Sequence, residues 1–140
     1  MMEGNQAAAF AERQQGTLPG NLAIEWEEVA NGSARGRFRV AKGHMAPNGF
    51  VHAASVVALA DSACGYACVA SLPEGASGFT TIELKSNFLG TAKIGEVVAT
   101  RAWLVHGGRM TQVWDAEVTN ETTGKLMATF RCTQMVLYPR

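Results

Sequence analysis

The sequence carries no net charge, because twelve Lys and Arg residues balance twelve Asp and Glu residues. Without an excess of one sign, the chain has no long-range field to attract nucleic acid or a membrane surface, so neither is expected as a partner. Cysteines are few and odd in number, three in all, which is typical of a reducing compartment. The first residues lack the basic and apolar regions of a secretory signal peptide. We therefore expect a cytoplasmic protein whose 140 residues form one domain.

Charge is almost absent from residues 52–71, where Asp61 is the only fully charged side chain. A turn signal, Asn48-Gly49, precedes this segment, and Pro73 follows it, so the pattern predicts a helix between them. The segment is long enough to raise the question of a membrane span. Its residues are mostly small and a carboxylate lies in the middle, which favours a core helix that is apolar on every side.

The carboxylate of Asp61 is the most informative feature of that helix. Moving an ionised carboxylate into an apolar interior costs several kcal/mol unless hydrogen bonds or a polar cavity compensate for the lost water. One interpretation is a structural Asp that is bonded to backbone or hydroxyl donors. The other is a general base or nucleophile at the wall of a pocket.

The remaining segments predict a sheet. Residues 3–16 are expected to form a short amphipathic helix and residues 17–20 a turn. Strand patterns follow, and Gly107-Gly108 predicts a two-residue hairpin turn. Three arginines, Arg35, Arg37 and Arg39, share one strand face, where a solvated outer surface is favoured over a phosphate site. The expected strands are residues 22–29, 34–40, 79–89, 96–106, 109–119 and 125–138.

These elements predict an α+β architecture in which one long, curved antiparallel sheet wraps around one buried helix. A single sheet has only one inner face, so a second copy of the chain is expected to cover the rest of the helix. Cys64 and Cys68 are four residues apart, but no further ligand lies near them at metal spacing, so we interpret both as small core residues.

At this point the residues resemble a known family. Asn48-Gly49-Phe50-Val51-His52, then Asp61 nine residues on, then the strand pattern of residues 80–89, are similar to the hotdog-fold acyl-CoA thioesterases of the phenylacetate-pathway (PaaI-like) type. The resemblance implies a single hotdog domain over residues 1–140, with an N-terminal helix and turn in 1–20 and a turn and central helix in 48–72. It also implies hydrolysis of an acyl- or aryl-CoA thioester to free acid and CoA, with no metal and no cofactor, since coenzyme A is part of the substrate. It implies a homo-oligomer, dimer or tetramer, whose active site lies at the dimer interface.

The resemblance also assigns roles to residues. Asp61 attacks the thioester carbonyl or activates a water to do so, and the backbone N–H of Ala53 polarises the carbonyl oxygen. Thr81 orients the carboxylate or the water, and His52 holds the loop and the helix start in place. Substrate-binding positions fall on Asn48, Gly49 and Ala54.

The sequence departs from the family pattern where His52-Ala53-Ala54 replaces His-Gly-Gly. Each added Cβ narrows the space beside the thioester, so a non-catalytic acyl-CoA-binding protein stays open as the alternative function. Tyr66, Trp103 and Phe50 are candidates for lining the acyl pocket, although core packing is the commoner role of such residues.

Spacing also bears on the site. Nine helical residues make 2.5 turns, which places His52 and Asp61 on opposite sides of the helix, about 13 Å apart along its axis. If both serve one thioester, the site must combine the helix start of one copy with Asp61 of another.

Overall fold

The computed structural model describes residues 3–140 and contains a six-stranded sheet around one long helix. The helices are α1 (Ala7–Arg13), α2 (Leu18–Asn21) and α3 (Ala53–Ala70), with a 3-10 turn at Lys42–His44. The strands are β1 (Glu25–Ala30), β2 (Ser33–Arg39), β3 (Gly78–Phe88), β4 (Val97–Gly107), β5 (Thr111–Asn120) and β6 (Lys125–Leu137).

All strand pairs are antiparallel, and the strand order is β1-β2-β4-β5-β6-β3. β1 and β3 are therefore the edges of the sheet. β3 follows α3 in sequence but pairs with the last strand, β6. The segment that contains α3 therefore connects β2, near one edge of the sheet, to β3 at the other edge. The predicted architecture, one antiparallel sheet wrapped around one helix, is confirmed.

α3 lies against the inner face of the sheet and supplies much of the core. Its length and apolar composition would suit a membrane span, but more than half of its residues are buried inside the domain. Small side chains let it approach the strands closely, and the thiols of Cys64 and Cys68 are fully buried there. Burial raises the pKa of the Cys68 thiol to about 12, as expected of an unreactive core cysteine.

The outer face of the sheet is solvated and its charges are paired. In β5 the side chains alternate regularly between buried and half-buried, which is the pattern of a sheet with one wet side. Arg35 lies 3.6 Å from Glu27, and Arg37 lies 3.2 Å from Glu121. The arginines of β2 thus belong to a solvated outer face, and that interpretation is confirmed.

Two local predictions were wrong. Residues 17–20 are not a simple turn, because Leu18–Asn21 forms one helical turn with Pro19 near its start, a position that tolerates the missing N–H. The second concerns the β4–β5 hairpin, whose turn residues are Arg109 and Met110 rather than Gly107-Gly108. An irregularity in β4 between Leu104 and His106 uses one extra residue, and this shifts the turn along the chain.

Candidate active site

Asp61 lies in the middle of α3, eight residues after its first residue. Its Oδ1 atom is buried and accepts no hydrogen bond from any residue in 3–140. Burial raises the pKa of the Asp61 carboxyl above its ordinary value, because the charged form loses water without gaining a partner. A structural Asp would be expected to have donors around it, and this one has none at Oδ1.

The Asp61 carboxylate faces a cavity of about 350 Å³, called here the acid cavity. One wall is a single face of α3, since positions four residues apart on a helix lie above one another. The opposite wall comes from α1, from the turn after it and from β3. The lining residues are Phe10, Arg13, Gln14, Thr17, Asp61, Ser62, Gly65, Tyr66, Val69 and Phe79.

A buried amide fixes the aromatic part of the acid cavity. Gln14 is 5% exposed, and its Oε1 accepts hydrogen bonds from Trp26 Nε1 at 2.8 Å and from the Tyr66 hydroxyl at 3.1 Å. Its Nε2 donates to the carbonyl of Ile24 at 2.7 Å. The Tyr66 ring also stacks on Phe10, with centroids 4.7 Å apart. Tyr66 is therefore held in one orientation as a wall of the cavity.

Gly65 leaves room for another aromatic ring. A Cβ at this position would come within 3.0 Å of the Phe79 ring, closer than ordinary van der Waals contact. Glycine inside a helix costs about 0.5–1 kcal/mol relative to alanine, so the sequence gives up helix stability here. The gain is that the Phe79 ring can lie directly against the backbone of α3.

The start of α3 offers a free hydrogen-bond donor. His52 is the N-cap residue, and its Nδ1 accepts from the N–H of Ala54 at 2.9 Å. The carbonyl of His52 accepts from the N–H groups of Ser55 and Val56. Within residues 3–140, the N–H of Ala53 has no hydrogen-bond acceptor. An unsatisfied N–H at a helix N-terminus favours an oxyanion.

His44 anchors the start of α3 to the rest of the domain. Its ring is buried, stacks on Phe38 with centroids 4.1 Å apart, and accepts from the N–H of Ala41 through Nδ1. Its carbonyl accepts hydrogen bonds from the N–H of His52 and from the Ser55 hydroxyl, both at 2.9 Å. The first turn of α3 is thus fixed to the rest of the domain through one backbone carbonyl.

The loop before the helix is closed by its own hydrogen bonds. Asn48 accepts from the N–H of Phe50 through its side chain, and Ala46 exchanges backbone bonds with Gly49 and Phe50. Gly49 has φ +87°, a left-handed conformation that glycine adopts without strain. The turn holds Phe50 at the surface with 55% of its side chain exposed.

Phe50 and Ala53 line a second cavity, of about 280 Å³, called here the helix-start cavity. It shares no lining residue with the acid cavity. Ala53 and Asp61 are eight residues apart, or about 12 Å along the helix axis. A single copy of the chain therefore does not bring the two predicted groups together. The other lining residues of the helix-start cavity are Val51, Val56, Phe88, Gly90 and Thr91.

Two predicted residues lie away from Asp61. Thr81 is on the inner face of β3, where its hydroxyl donates to Gln134 Oε1 at 2.7 Å, and it does not line the acid cavity. Trp103, a pocket candidate from sequence, lies on the outer face of the sheet, with the Arg101 guanidinium 4.3 Å from its ring centroid. Across residues 3–140, no three His, Cys, Asp or Glu side chains are placed to hold a metal ion.

Several residues of the site were not singled out by sequence reasoning. Gln14 and His44 stand in polar stretches of ordinary composition, and only the fold shows that both are buried. Gly65 did carry a signal, because a glycine inside an otherwise helical pattern often marks a close approach by another group.

Comparison with known proteins gives consistent results. The family model described as the thioesterase superfamily matches residues 48–127. A 1,4-dihydroxy-2-naphthoyl-CoA hydrolase of Listeria monocytogenes is 33% identical over 116 residues, which cover 83% of this chain and 92% of that protein. Among solved structures, a thioesterase of Haemophilus influenzae superposes with a TM-score of 0.87 at 24% identity, covering 97% of this chain and 93% of the other. The PaaI protein of the Escherichia coli phenylacetic acid degradation operon gives a TM-score of 0.81 at 23% identity, with 92% and 90% covered.

Proposed function

The chain belongs to the thioesterase superfamily and has the hotdog fold, and we propose that it hydrolyses an acyl- or aryl-CoA thioester with Asp61 as the base or nucleophile. An acyl-CoA thioesterase activity agrees with the names of its relatives. The observation that carries the assignment to Asp61 is its buried, unpartnered Oδ1 at the wall of a cavity large enough for an acyl group.

The raised pKa of Asp61 suits a general base. A carboxylate that is more basic than usual takes a proton from water more readily. In one form of the proposed step, Asp61 accepts a proton from a water molecule while the water oxygen adds to the carbonyl carbon. In the other form, a carboxylate oxygen of Asp61 adds to that carbon directly as a nucleophile. Collapse of the tetrahedral intermediate breaks the C–S bond, and the CoA sulfur leaves as thiolate and then takes a proton. On the nucleophilic route the acyl group is left on Asp61 as a mixed anhydride, and water then hydrolyses it to the free acid and the Asp61 carboxylate.

The N–H of Ala53 is the proposed donor to the thioester oxygen. It is free of other acceptors, and the partial positive charge of the helix start favours the oxyanion that forms under attack. His52 contributes by capping α3, because its Nδ1 accepts from the N–H of Ala54 and holds the first turn of the helix in place. Thr81 stays a predicted water-orienting residue, but in one chain its hydroxyl donates to Gln134 and it does not line the acid cavity.

We propose that two copies form each site. The acid cavity and the helix-start cavity lie apart in one chain, and a thioester needs a group from each. β3 is an edge strand, and such edges are natural places for pairing with another chain. It also exposes apolar side chains of the kind that mark an interface. These are Ile82, Leu84 and Phe88, each more than 40% exposed.

The walls of the acid cavity favour an aromatic acyl group. Tyr66, Phe10 and Phe79 contribute ring faces or edges to it, and aromatic rings pack well against one another. The Listeria relative, named for an aryl-CoA substrate, supports this preference. We therefore place the acyl ring in the acid cavity beside the Phe79 ring, along the face of α3 that carries Asp61 and Tyr66.

The test is Asp61→Asn, which keeps the shape of the side chain and removes its charge. We expect at least about a 100-fold fall in kcat on benzoyl-CoA, the usual scale for a positioned base, with CoA thiol release as the readout. The matched control is Asp115→Asn. Asp115 is ion-paired to Arg131 on the outer face, so the control is expected to keep turnover.

Stability separates this function from a structural role for Asp61. A carboxyl whose pKa is raised in the folded state contributes stability below its unfolded pKa and loses it as pH rises through the folded value. At neutral pH the Asp61 carboxyl therefore lowers the stability of the folded wild type, and Asp61→Asn is expected to melt at the same temperature or higher. A lower melting temperature with turnover kept would instead make Asp61 structural and favour the acyl-CoA-binding alternative.

A further inference from the structure

We propose that α1 forms the far end of the acyl pocket and that Arg13 selects acyl groups bearing a second carboxylate remote from the thioester. The inference rests on the proposed function, because it takes the acid cavity to be the acyl pocket. It concerns which acyl group is preferred, and it adds a specificity residue from outside the hotdog core.

Arg13 is the one cation that lines the acid cavity, whose lining residues all fall within 3–140. It lies in the last turn of α1, with its guanidinium 4.9 Å from the ring centroid of Phe10. Phe10 in turn stacks on Tyr66. Arg13 thus lies at the aromatic end of the cavity, where its guanidinium contacts the Phe10 ring and Phe10 contacts Tyr66.

The guanidinium of Arg13 has no carboxylate partner among residues 3–140. This separates it from four arginines of the outer face, Arg35, Arg37, Arg101 and Arg131, which each pair with a Glu or Asp. Arg13 also acts on the cavity wall, since its charge lowers the pKa of the Tyr66 hydroxyl against the larger upward effect of burial. A free guanidinium beside a cavity is suited to bind a carboxylate through paired N–H donors.

The cavity is polar at two separate places, and this orients the acyl group. Asp61 is at one place, while Tyr66 is five residues further on, about 7.5 Å along the axis of α3, and Arg13 lies on that side. An anionic substituent beside Asp61 would be repelled by the carboxylate. The same substituent beside Arg13 is attracted, so a ring with its thioester carbon at Asp61 and its acidic group at the far end satisfies both.

The helix end that carries the exposed Arg13 side chain is anchored to the domain. Gln14, the next residue, is buried and bonded at both ends of its amide, which fixes the end of α1 to β1 and α3. The hydroxyl of Thr17 donates to the carbonyl of Gln14 at 2.6 Å. The arginine therefore projects from an anchored helix end, and a change of its charge leaves the anchors in place.

The experiment compares benzoyl-CoA with 4-carboxybenzoyl-CoA for wild type, Arg13→Gln and Arg13→Lys. We expect Arg13→Gln to lower kcat/KM on the carboxylated ester by about tenfold and to leave benzoyl-CoA within about twofold. Arg13→Lys keeps the charge and should retain most of the preference. The matched control, Arg101→Gln, removes a guanidinium that also lies over an aromatic ring but on the outer face, and it should change neither ester.

Equal losses on both esters, or no loss on either, would overturn the selection by Arg13. If the wild type hydrolyses neither ester, the proposed function fails and the inference is judged by binding instead. Calorimetry with free benzoate and terephthalate then gives the readout. A preference for terephthalate that Arg13→Gln abolishes would support an anion-selective pocket, and equal binding of the two acids, or a preference that the variant retains, would overturn it.

Discussion

Asp61 and Asp115 show how environment divides two identical side chains. Asp115 accepts from the guanidinium of Arg131 on the outer face, where water reaches both groups. Asp61 has a buried oxygen without a donor, and its pKa is raised by that burial. A pair on the surface contributes little to stability, and an unpartnered buried carboxylate reduces it. Asp61 is therefore the residue whose presence calls for a chemical explanation.

The free N–H of Ala53 gives a prediction at the same scale. Ala53 is the first residue of α3, a position where proline is tolerated, and the preceding His52 has ψ 134°, which is allowed before proline. Ala53→Pro should therefore keep the fold while it deletes one donor. We expect kcat to fall by about 100-fold or more on benzoyl-CoA, the scale of a lost oxyanion donor.

Ala53→Gly is the control for that substitution, because it keeps the N–H and restores the smaller side chain of the family pattern. Activity at or above wild type is expected for it. A well-folded Ala53→Pro enzyme with unchanged turnover would show that the oxyanion donor lies elsewhere.

At the scale of elements, the composition of α3 is explained by what packs on each side of it. The strands cover one side, α1 approaches near Tyr66, and Phe79 of β3 lies against Gly65. Small residues along the helix let all of these neighbours come close. The face that carries Asp61 is left open to the acid cavity.

Gly65→Ala tests the shape of that face. The added Cβ would meet the Phe79 ring at 3.0 Å, so the ring has to move toward the cavity that it lines. We expect kcat/KM to fall about tenfold on benzoyl-CoA and to change little on acetyl-CoA, since one methylene-sized change in a pocket discriminates on this scale. Gly43→Ala, at a position with open space around the Cβ, is the control. An equal fall on both esters would place the effect outside the acyl pocket.

The sequence predicted the elements better than their connections. Alternation in the strands and the apolar run around Asp61 identified six strands and the central helix, because both patterns follow from burial on one face. The β4–β5 turn was misplaced since the irregularity between Leu104 and His106 depends on sheet packing and leaves no local signal.

The same limit applied to the site. Asp61 stood out because a charge in an apolar helix is conspicuous in any sequence. Gln14 and Arg13 did not, since a polar side chain in a short helix is usually solvated, and only the way α1 folds back onto Tyr66 brings them to the cavity.

At the scale of the whole molecule, one chain is incomplete in two respects. Its edge strand β3 exposes Ile82, Leu84 and Phe88, and its two candidate half-sites open into separate cavities. A symmetric dimer would resolve both, because a two-fold axis places the same surface on each partner and generates two equivalent sites. We therefore expect light scattering to find at least a dimer, with two composite sites that each take Asp61 from one copy and Ala53 from the other.

Subunit complementation tests this account most directly. Asp61→Asn and Ala53→Pro copies are each expected to be inactive as pure homo-oligomers. Assembled together at equal amounts, about half of the dimers are mixed, and each mixed dimer has one site in which both groups are intact. The measurement is CoA release by the co-assembled protein, with mass spectrometry confirming mixed dimers. The account predicts recovery of about a quarter of wild-type activity, and mixed dimers no more active than their two parents would contradict it.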